Sequence, residues 1–357
     1  MDHLTRRNLL TQRCARLEVD ALLVTKLANV RYLTGFSGSS AMALLSPAES
    51  VFFTDGRYDE QSRHEVPDLT RVASMENIAA AIRGQLRRLG IGRVGFERHA
   101  VTVEQLERWQ ERFDGVELIG IGEEVERLRW SKDEEELELL RSAQEATDGA
   151  FENILDLLVV GITERQAAAQ LELAMTRHGA DGLSFDPIVA FGEHAAEPHH
   201  RPCHRALAEG DVIKMDFGAK VGGYHTDMTR TVAFGEPATE LRKVHDIVAA
   251  AQQAGIDALR PGVAAGDVDR AARSVIADAG YGDRFTHGLG HGVGLEIHES
   301  PSLRRDGDDV LPAGAVVTVE PGVYLPGMGG VRIEDAVEVS EDGPTVLGTS
   351  TRELIEL

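Results

Sequence analysis

Apolar and polar positions fall into two regimes along the chain. In the first third, short apolar runs alternate with stretches of helical period. The runs "ALLVT" (21–25), "AMALLS" (41–46), "SVFFTD" (50–55) and "GRVGFE" (92–97) read as strands. Residues 2–17, 76–89 and 102–113 carry helical spacing. Such alternation predicts an α/β domain with a mixed sheet. A boundary falls within about 120–130, dividing the chain into domains 1–125 and 126–357. Beyond it, Ser131 with Glu134 fits a capping box, and the acids from Asp133 to Glu136 favour a helix N-terminus. Leu137, Leu140, Ala143, Thr147 and Phe151 keep helical spacing. Thr163 with Gln166 caps a second helix, and Gly179 fits its C-terminal end. Residues 239–259 and 267–279 predict two more amphipathic helices. Acid-bearing strands lie between and after them. The second domain is therefore expected to be α+β, with helices on a curved, mainly antiparallel sheet. No repeat, low-complexity tract or Pro-rich linker interrupts either domain.

Composition narrows the class. A chain of 357 residues with 42% hydrophobic and 27% charged residues can build two domains and a large core. The formal charge of −22, from 59 acids against 37 bases, argues against nucleic acid and anionic membrane as partners. Lys26, Lys132, Lys214, Lys220 and Lys243 are the only lysines. An arginine-favouring, GC-rich genome explains that profile most simply; salt adaptation is the alternative. The opening "MDHLTRRNLLTQRCARLEVD" has charges throughout and no apolar centre, so it does not read as a signal peptide despite Arg6-Arg7. No run is long and apolar enough to span a membrane. Two distant cysteines, Cys14 and Cys203, fit a reduced, cytoplasmic protein.

Five candidate metal ligands stand in the last stretch: Asp216, Asp227, His291, Glu320 and Glu334. In "VIKMDFG" and "VVTVE" an acid ends an apolar, strand-like run. A buried carboxylate there is costly unless partnered. Four carboxylates and one imidazole make an oxygen-rich set, suited to a pair of ions such as Mn²⁺ or Co²⁺ rather than a structural zinc. Two metals bridged by carboxylates form a hydrolytic centre. Asp216 and Asp227 are expected on adjacent strands of a hairpin turning at Gly222-Gly223, with the carboxylates side by side. Glycines 288, 290, 292 and 294 let backbone approach closely around His291. In "HHRPCH", His200, Cys203 and His204 invite a zinc reading, which is set aside because no second Cys/His pair accompanies them. "GFSGSS" (35–40) lacks the lysine and helix of a phosphate loop and reads as a turn.

The segments "FDPIVAFGEHAAEPHH", "DFGAKVGGYHTDMTRTV", "HGLGHGVGLEIHESP", "TVEPGVY" and "GVRIEDAV", in this order, resemble the metallopeptidase family of aminopeptidase P and prolidase. Within it the chain looks most like short, cytoplasmic Xaa-Pro peptidases of actinobacteria. The likeness spans roughly 126–357; "VRYLTGFSGSSA" and "FFTDGRYDEQ" extend it, less specifically, into the first domain. It implies an α/β amino-terminal domain of creatinase type and an α+β pita-bread catalytic domain. It implies two divalent ions, Mn²⁺ first and Co²⁺ or Zn²⁺ as alternatives, with Asp216 bidentate and Asp227 and Glu334 bridging. It makes His199, His298 and Glu320 catalytic, the histidines facing the substrate carbonyl and Glu320 moving a proton. His287, Arg332 and Tyr324 are implied around the substrate, His287 at the proline pocket, while His200 is left as a neighbour. Glu193-His194 departs from residues usual in the family and lies beside the site. The expected substrates are short proline-containing peptides, cut by an Xaa-Pro aminopeptidase, with an Xaa-Pro dipeptidase as the alternative; a homodimer is implied. Another hydrolase on the same scaffold stays as an alternative, a methionine aminopeptidase or a compatible-solute amidohydrolase; the two-domain layout and "PHH" argue against the methionine aminopeptidase. A non-catalytic binding protein is disfavoured by the complete ligand set.

Overall fold

The structure is a computed structural model that describes residues 2–74 and 77–357. The chain forms two compact units, Met1–Arg129 and Trp130–Leu357. In the first, six strands run in the order Thr70–Ser74, Ser50–Asp55, Ala41–Leu45, Ala21–Val24, Arg93–Glu97, Glu117–Ile121. The two pairings among 21–24, 41–45 and 50–55 are antiparallel and the other three are parallel, so the sheet is mixed as predicted. Ala21–Val24 is buried at all four positions, which explains its continuous apolar run.

The edge strands were not predicted, for a physical reason. "TRVAS" is half exposed and carries no apolar run; "ELIGI" carries a short one, Leu118-Ile119-Gly120-Ile121, but it is broken by glycine and largely half exposed. The short helices Leu27–Thr34 and Asp59–Glu65 were also missed. The first helix covers His3–Thr11 rather than 2–17. Beyond Thr11 the backbone tightens, with Arg13 N–H donating to Leu10 O and Cys14 N–H to Thr11 O. Of the helix expected at 76–89, Ile78–Leu89 is observed, and residue 76 lies outside the described residues.

The division falls after Arg129, four residues later than the expected 125/126 boundary. The short helix Glu126–Arg129 is tied into the first unit. Asn29 donates to Glu126 (2.7 Å) and accepts from Arg129 (2.7 Å), and Tyr32 Oη donates to Leu128 O (3.1 Å).

The second unit is α+β. The helices Glu134–Leu155 and Glu164–Arg177 pack with the strands Ile188–Phe191, Val212–Phe217 and Met228–Ala233 around one apolar core. The helices Thr239–Ala258 and Ala265–Asp278 share a second core with strands of the five-stranded sheet, including Ala315–Val319 and Asp335–Ser340. Every pairing between the unit's strands is antiparallel. The capping box of the first helix is Asp133 with Glu136, not Ser131 with Glu134. The Ser131 hydroxyl instead donates to Ala313 O at 2.7 Å. Thr163 and Gln166 form the reciprocal box expected, and Gly179 follows that helix with φ 99°.

Replacing Thr163 with alanine removes the acceptor for Gln166 N–H. The expected cost is about 1 kcal/mol, or about 2–4 °C in Tm for a unit of this size. Thermal unfolding followed by circular dichroism measures it; an unchanged Tm would show the cap to be idle.

Candidate metal centre

Strand geometry places the acids. Asp216 lies in Val212–Phe217, where its partner across the ladder is Thr229. Asp227 precedes Met228–Ala233 and is therefore offset from Asp216 rather than directly opposite. The hairpin does turn at Gly222-Gly223, both at positive φ. Its two arms close tightly at Gly218, where a Cβ would lie 1.9 Å from the Thr226 carbonyl oxygen. Such an approach admits only glycine.

His291 sits in the short strand Gly290–Gly292, beside another close approach: a Cβ on Gly290 would meet Thr318 O at 2.0 Å. Glu320 follows Ala315–Val319, its N–H bound to Leu289 O at 2.8 Å. Glu334 precedes Asp335–Ser340, its N–H bound to Thr229 O at 3.1 Å. Five chain segments thus deliver the five candidate ligands through backbone pairing.

These side chains line one cavity of about 230 Å³ together with His199, His298, Arg332, Phe185, Ile188 and Ile297. His291 Nε2 lies 3.6 Å from Asp227 Oδ2 and 3.6 Å from Glu320 Oε1. With metal–ligand bonds of about 2.0–2.2 Å, ligands on one ion stand roughly 3–3.5 Å apart. One ligand atom each from Asp227, His291 and Glu334 fall within 4.8 Å of one another. His291 Nδ1 is 3.0 Å from Gly292 O, which can only accept. Nδ1 therefore carries the hydrogen, and the Nε2 lone pair faces the acids.

The carboxylates lack enough donors of their own. Asp216 Oδ1 and Asp227 Oδ1 are buried with no hydrogen-bond partner. Burial, with repulsion from Glu334 and Asp216, pushes Asp227 well above the carboxylate range. Burial, with Glu320 and Asp216 nearby, does the same to Glu334. Burial raises Glu320 to about 8, and it lowers His291 to about 4. Acids held this close share protons unless cations replace them. The residues therefore fit a pair of divalent ions, with chemistry from four carboxylates and one neutral imidazole.

The remaining site residues divide. His199 and His298 line the cavity, and the His298 ring meets His291 edge-on at 4.3 Å between centroids. Arg332 is buried and largely committed: Nε donates to Thr229 (3.0 Å), Nη1 to Pro198 O (3.1 Å) and Tyr324 Oη (2.9 Å), and Nη2 to Asp216. Tyr324 in turn donates to His287 Nε2 at 2.8 Å, because His287 Nδ1 donates to Gly288 O at 2.8 Å. Burial and the Arg332 charge lower His287 to about 3, so it stays neutral. Tyr324 and His287 thus stand behind the acid-lined cavity. His287 lines a second cavity of about 710 Å³, beside Arg273, Phe285, Arg304 and Arg305. His200 turns away from the acids, to Glu164 (2.9 Å) and Glu197 (2.6 Å).

Sequence reasoning missed Lys214. It is fully buried two residues before Asp216, and its Nζ lies within hydrogen-bond reach of Ala195 O (3.2 Å), Glu197 O (2.5 Å) and Pro198 O (3.3 Å). It ties down the segment leading into His199. Burial and the nearby Arg332 lower it to about 6. The signal was present: a lysine alternating with an acid inside an apolar strand shares its face.

Comparison with known proteins agrees with this geometry. Residues 138–341 match the model of metallopeptidase family M24, and residues 6–130 match the creatinase/prolidase N-terminal domain. The chain belongs to family M24; it is a metallopeptidase with a creatinase-type first domain and a pita-bread catalytic domain. It is 37% identical to a structure of an Xaa-Pro dipeptidase from Bacillus anthracis, with TM-score 0.97 and 100% of both chains covered. An X-Pro aminopeptidase from Thermotoga maritima is 36% identical, with TM-score 0.90, covering 97% of this chain and all of that one. An Xaa-Pro dipeptidase of Pyrococcus furiosus is 33% identical over 94% of this chain and 95% of its own.

Metal binding is expected to release protons. Glu320, raised to about 8, is mostly protonated in the metal-free protein at pH 7 and must lose that proton to become a ligand. Affinity for Mn²⁺ should therefore strengthen as pH rises from 6 towards 8. Calorimetry in buffers of different ionisation enthalpy reads the proton count. Zero protons released at pH 7 would contradict the raised carboxylates.

Proposed function

We propose that the enzyme is an Xaa-Pro dipeptidase, hydrolysing the bond between an amino-terminal residue and a carboxyl-terminal proline. The observation that carries this reading is the cavity itself. It joins five ligands, two histidines outside the ligand set, and the apolar walls Phe185, Ile188 and Ile297. The peptide bond to proline is a tertiary amide without N–H, so recognition has to come from such surroundings. When bound, two divalent ions, Mn²⁺ foremost with Co²⁺ or Zn²⁺ as alternatives, supply an activated water and polarise the scissile carbonyl.

The chain's own residues do the rest. Glu320, ionised once the ions are held, takes a proton from the water and returns it to the proline nitrogen. His199 and His298 donate to the developing oxyanion. Asp227 holds the free α-amino group. Arg332 has only one of its five donors left, so it positions Asp216 and Tyr324 rather than clamping a substrate carboxylate. Cations for that carboxylate are available at Arg304 and Arg305, in the cavity that His287 lines.

The aminopeptidase expected from the sequence is the second reading, kept alive by the Thermotoga maritima structure. The dipeptidases among the relatives support the first better. The resemblance further supports a homodimer. A cytoplasmic setting fits two cysteines that are both free. No helix among the described residues is long and apolar enough to cross a membrane.

The test compares kcat/KM for Ala-Pro and Ala-Pro-Ala with Mn²⁺, and again after chelation. A dipeptidase should favour Ala-Pro by about tenfold or more, about 1.4 kcal/mol in the transition state. A preference for the tripeptide restores the aminopeptidase reading, and turnover that survives complete chelation refutes both.

His199→Ala and His298→Ala should each lower kcat by about 10²–10⁴. Metal content, measured by mass spectrometry, should stay at the wild-type level. Loss of metal would move that histidine into the coordination shell.

A further inference from the structure

A second cluster of ligating groups forms away from the acids, where the helix Glu164–Arg177 meets the segment 191–205. Glu164, the first residue of that helix, is fully buried. Two imidazoles converge on its carboxylate: His194 Nδ1 stands 2.8 Å from Oε1 and His200 Nε2 2.9 Å from Oε2. The two rings lie 4.5 Å apart, tilted by 32°. Cys203 completes the group: one ligand atom from each of the four residues lies within 4.8 Å of the others. Burial opposes the charge on Glu164. Even so, N–H groups of Phe191 (2.9 Å) and Cys203 (3.0 Å), together with His200, hold it down at about 2. It is ionised at neutral pH.

We propose that Glu164, His194, His200 and Cys203 form a separate, mononuclear site for a thiophilic divalent cation, Zn²⁺ fitting best. Two nitrogens, one sulfur and one oxygen suit Zn²⁺ or Co²⁺ and disfavour Mg²⁺, Ca²⁺ and Mn²⁺. A carboxylate and a thiolate carry two negative charges and two neutral imidazoles carry none, so a bound dication leaves a neutral site. On binding, the Cys203 thiol proton and the hydrogens that His200 Nε2 and His194 Nδ1 direct at Glu164 leave the ligand atoms, and the dication takes their place. His200 already has the orientation of a ligand. Its Nδ1 lies 2.6 Å from the Glu197 carboxylate, which keeps a hydrogen on Nδ1 and points Nε2 at Glu164, where a cation replaces the Nε2 hydrogen.

The zinc reading of "HHRPCH" failed for want of a second pair of ligands. The fold supplies that pair from outside the segment, as His194 and Glu164. His204 takes no part; its Nε2 lies 3.4 Å from Arg165 Nη1. A cation here pins the segment 191–205 to the helix start. That segment carries His199, so the site braces the reaction from behind without touching it.

Cobalt distinguishes this site from the acid-lined centre, which contains no sulfur. The metal-depleted full chain is titrated with Co²⁺ alone while near-ultraviolet absorption is recorded. Wild type and Cys14→Ser should develop a thiolate-to-cobalt charge-transfer band that Zn²⁺ bleaches. Cys203→Ser should lose the band. His194→Asn should weaken the affinity by at least about tenfold, since even an outer partner of a ligand is worth that much. No band at saturating Co²⁺, or a band that survives Cys203→Ser, overturns the proposal. Unchanged affinity in His194→Asn overturns the four-ligand assignment. A readout without substitution at the site uses Cys14→Ser protein: Zn²⁺ should slow the reaction of Cys203 with a thiol reagent. An unchanged rate overturns the site even where Cys203→Ser fails to fold.

Discussion

The second unit is organised around the cost of holding four carboxylates in one cavity. Asp216, Asp227, Glu320 and Glu334 share it with a single guanidinium, that of Arg332. One positive charge against four leaves a net charge near −3 if all four ionise. Buried like charges this close do not all ionise by themselves. The raised positions of Asp227, Glu320 and Glu334 express that cost. Backbone pairing has to supply the force that keeps the acids together. The ladder from Met228↔Phe217 to Ala233↔Val212 and the one from Ala315↔Val339 to Val319↔Asp335 do so, and both end beside candidate ligands. The glycines at 218 and 290 allow the final approach.

A hydrogen-bonded backing sets the protonation of the neutral groups. Arg332 donates to Tyr324, Tyr324 to His287, and His287 to the Gly288 carbonyl. Each step has a defined donor, so the chain has one polarity and fixes the His287 tautomer. Lys214 belongs to the same backing: its Nζ stands 5.2 Å from the Tyr324 ring centroid and lies within hydrogen-bond reach of three carbonyls ahead of His199. The site thus contains polar groups with two distinct tasks. Some face the cavity, and others hold backbone and ring orientation from behind it.

That division explains what the sequence could and could not disclose. An acid that ends an apolar strand is legible, because burial makes it costly without a use; Asp216 and Glu320 stood out in this way, whereas His291 stood out by the glycines around it and Asp227 and Glu334 by the company of the other motifs. The two helices behind the acids were legible from period and caps. Position across a hairpin was less so, since Asp216 faces Thr229 and the tight passage at Gly218 offsets Asp227. The commitment of Arg332 was not legible, because only the fold shows that Thr229, Pro198, Tyr324 and Asp216 consume its donors. Lys214 escaped notice because a lone lysine usually reaches solvent. The edge strand Thr70–Ser74 escaped because a half-exposed strand loses the apolar signature, and Glu117–Ile121 because glycines at 115, 120 and 122 break up its short apolar run. Ser131 looked like a cap until Ala313, far away in sequence, claimed its hydroxyl.

The same reasoning bears on how a peptidase of this kind measures its substrate. Recognition of a free proline carboxylate needs a cation with donors to spare. A buried arginine beside metal-ligating acids is a poor choice, because the acids claim it first. Arg332 shows this: its charge balances Asp216 and its geometry aligns Tyr324. Arg304 and Arg305 differ in both respects. Both are exposed, both line the cavity next to His287, and both are placed by the turn after Glu299–Leu303, whose strand pairs with the one carrying His291. Under the proposed function, peptide length is set by residues outside the candidate ligands, on a surface that can vary without disturbing the acids. One ligand set can then serve both dipeptidases and aminopeptidases.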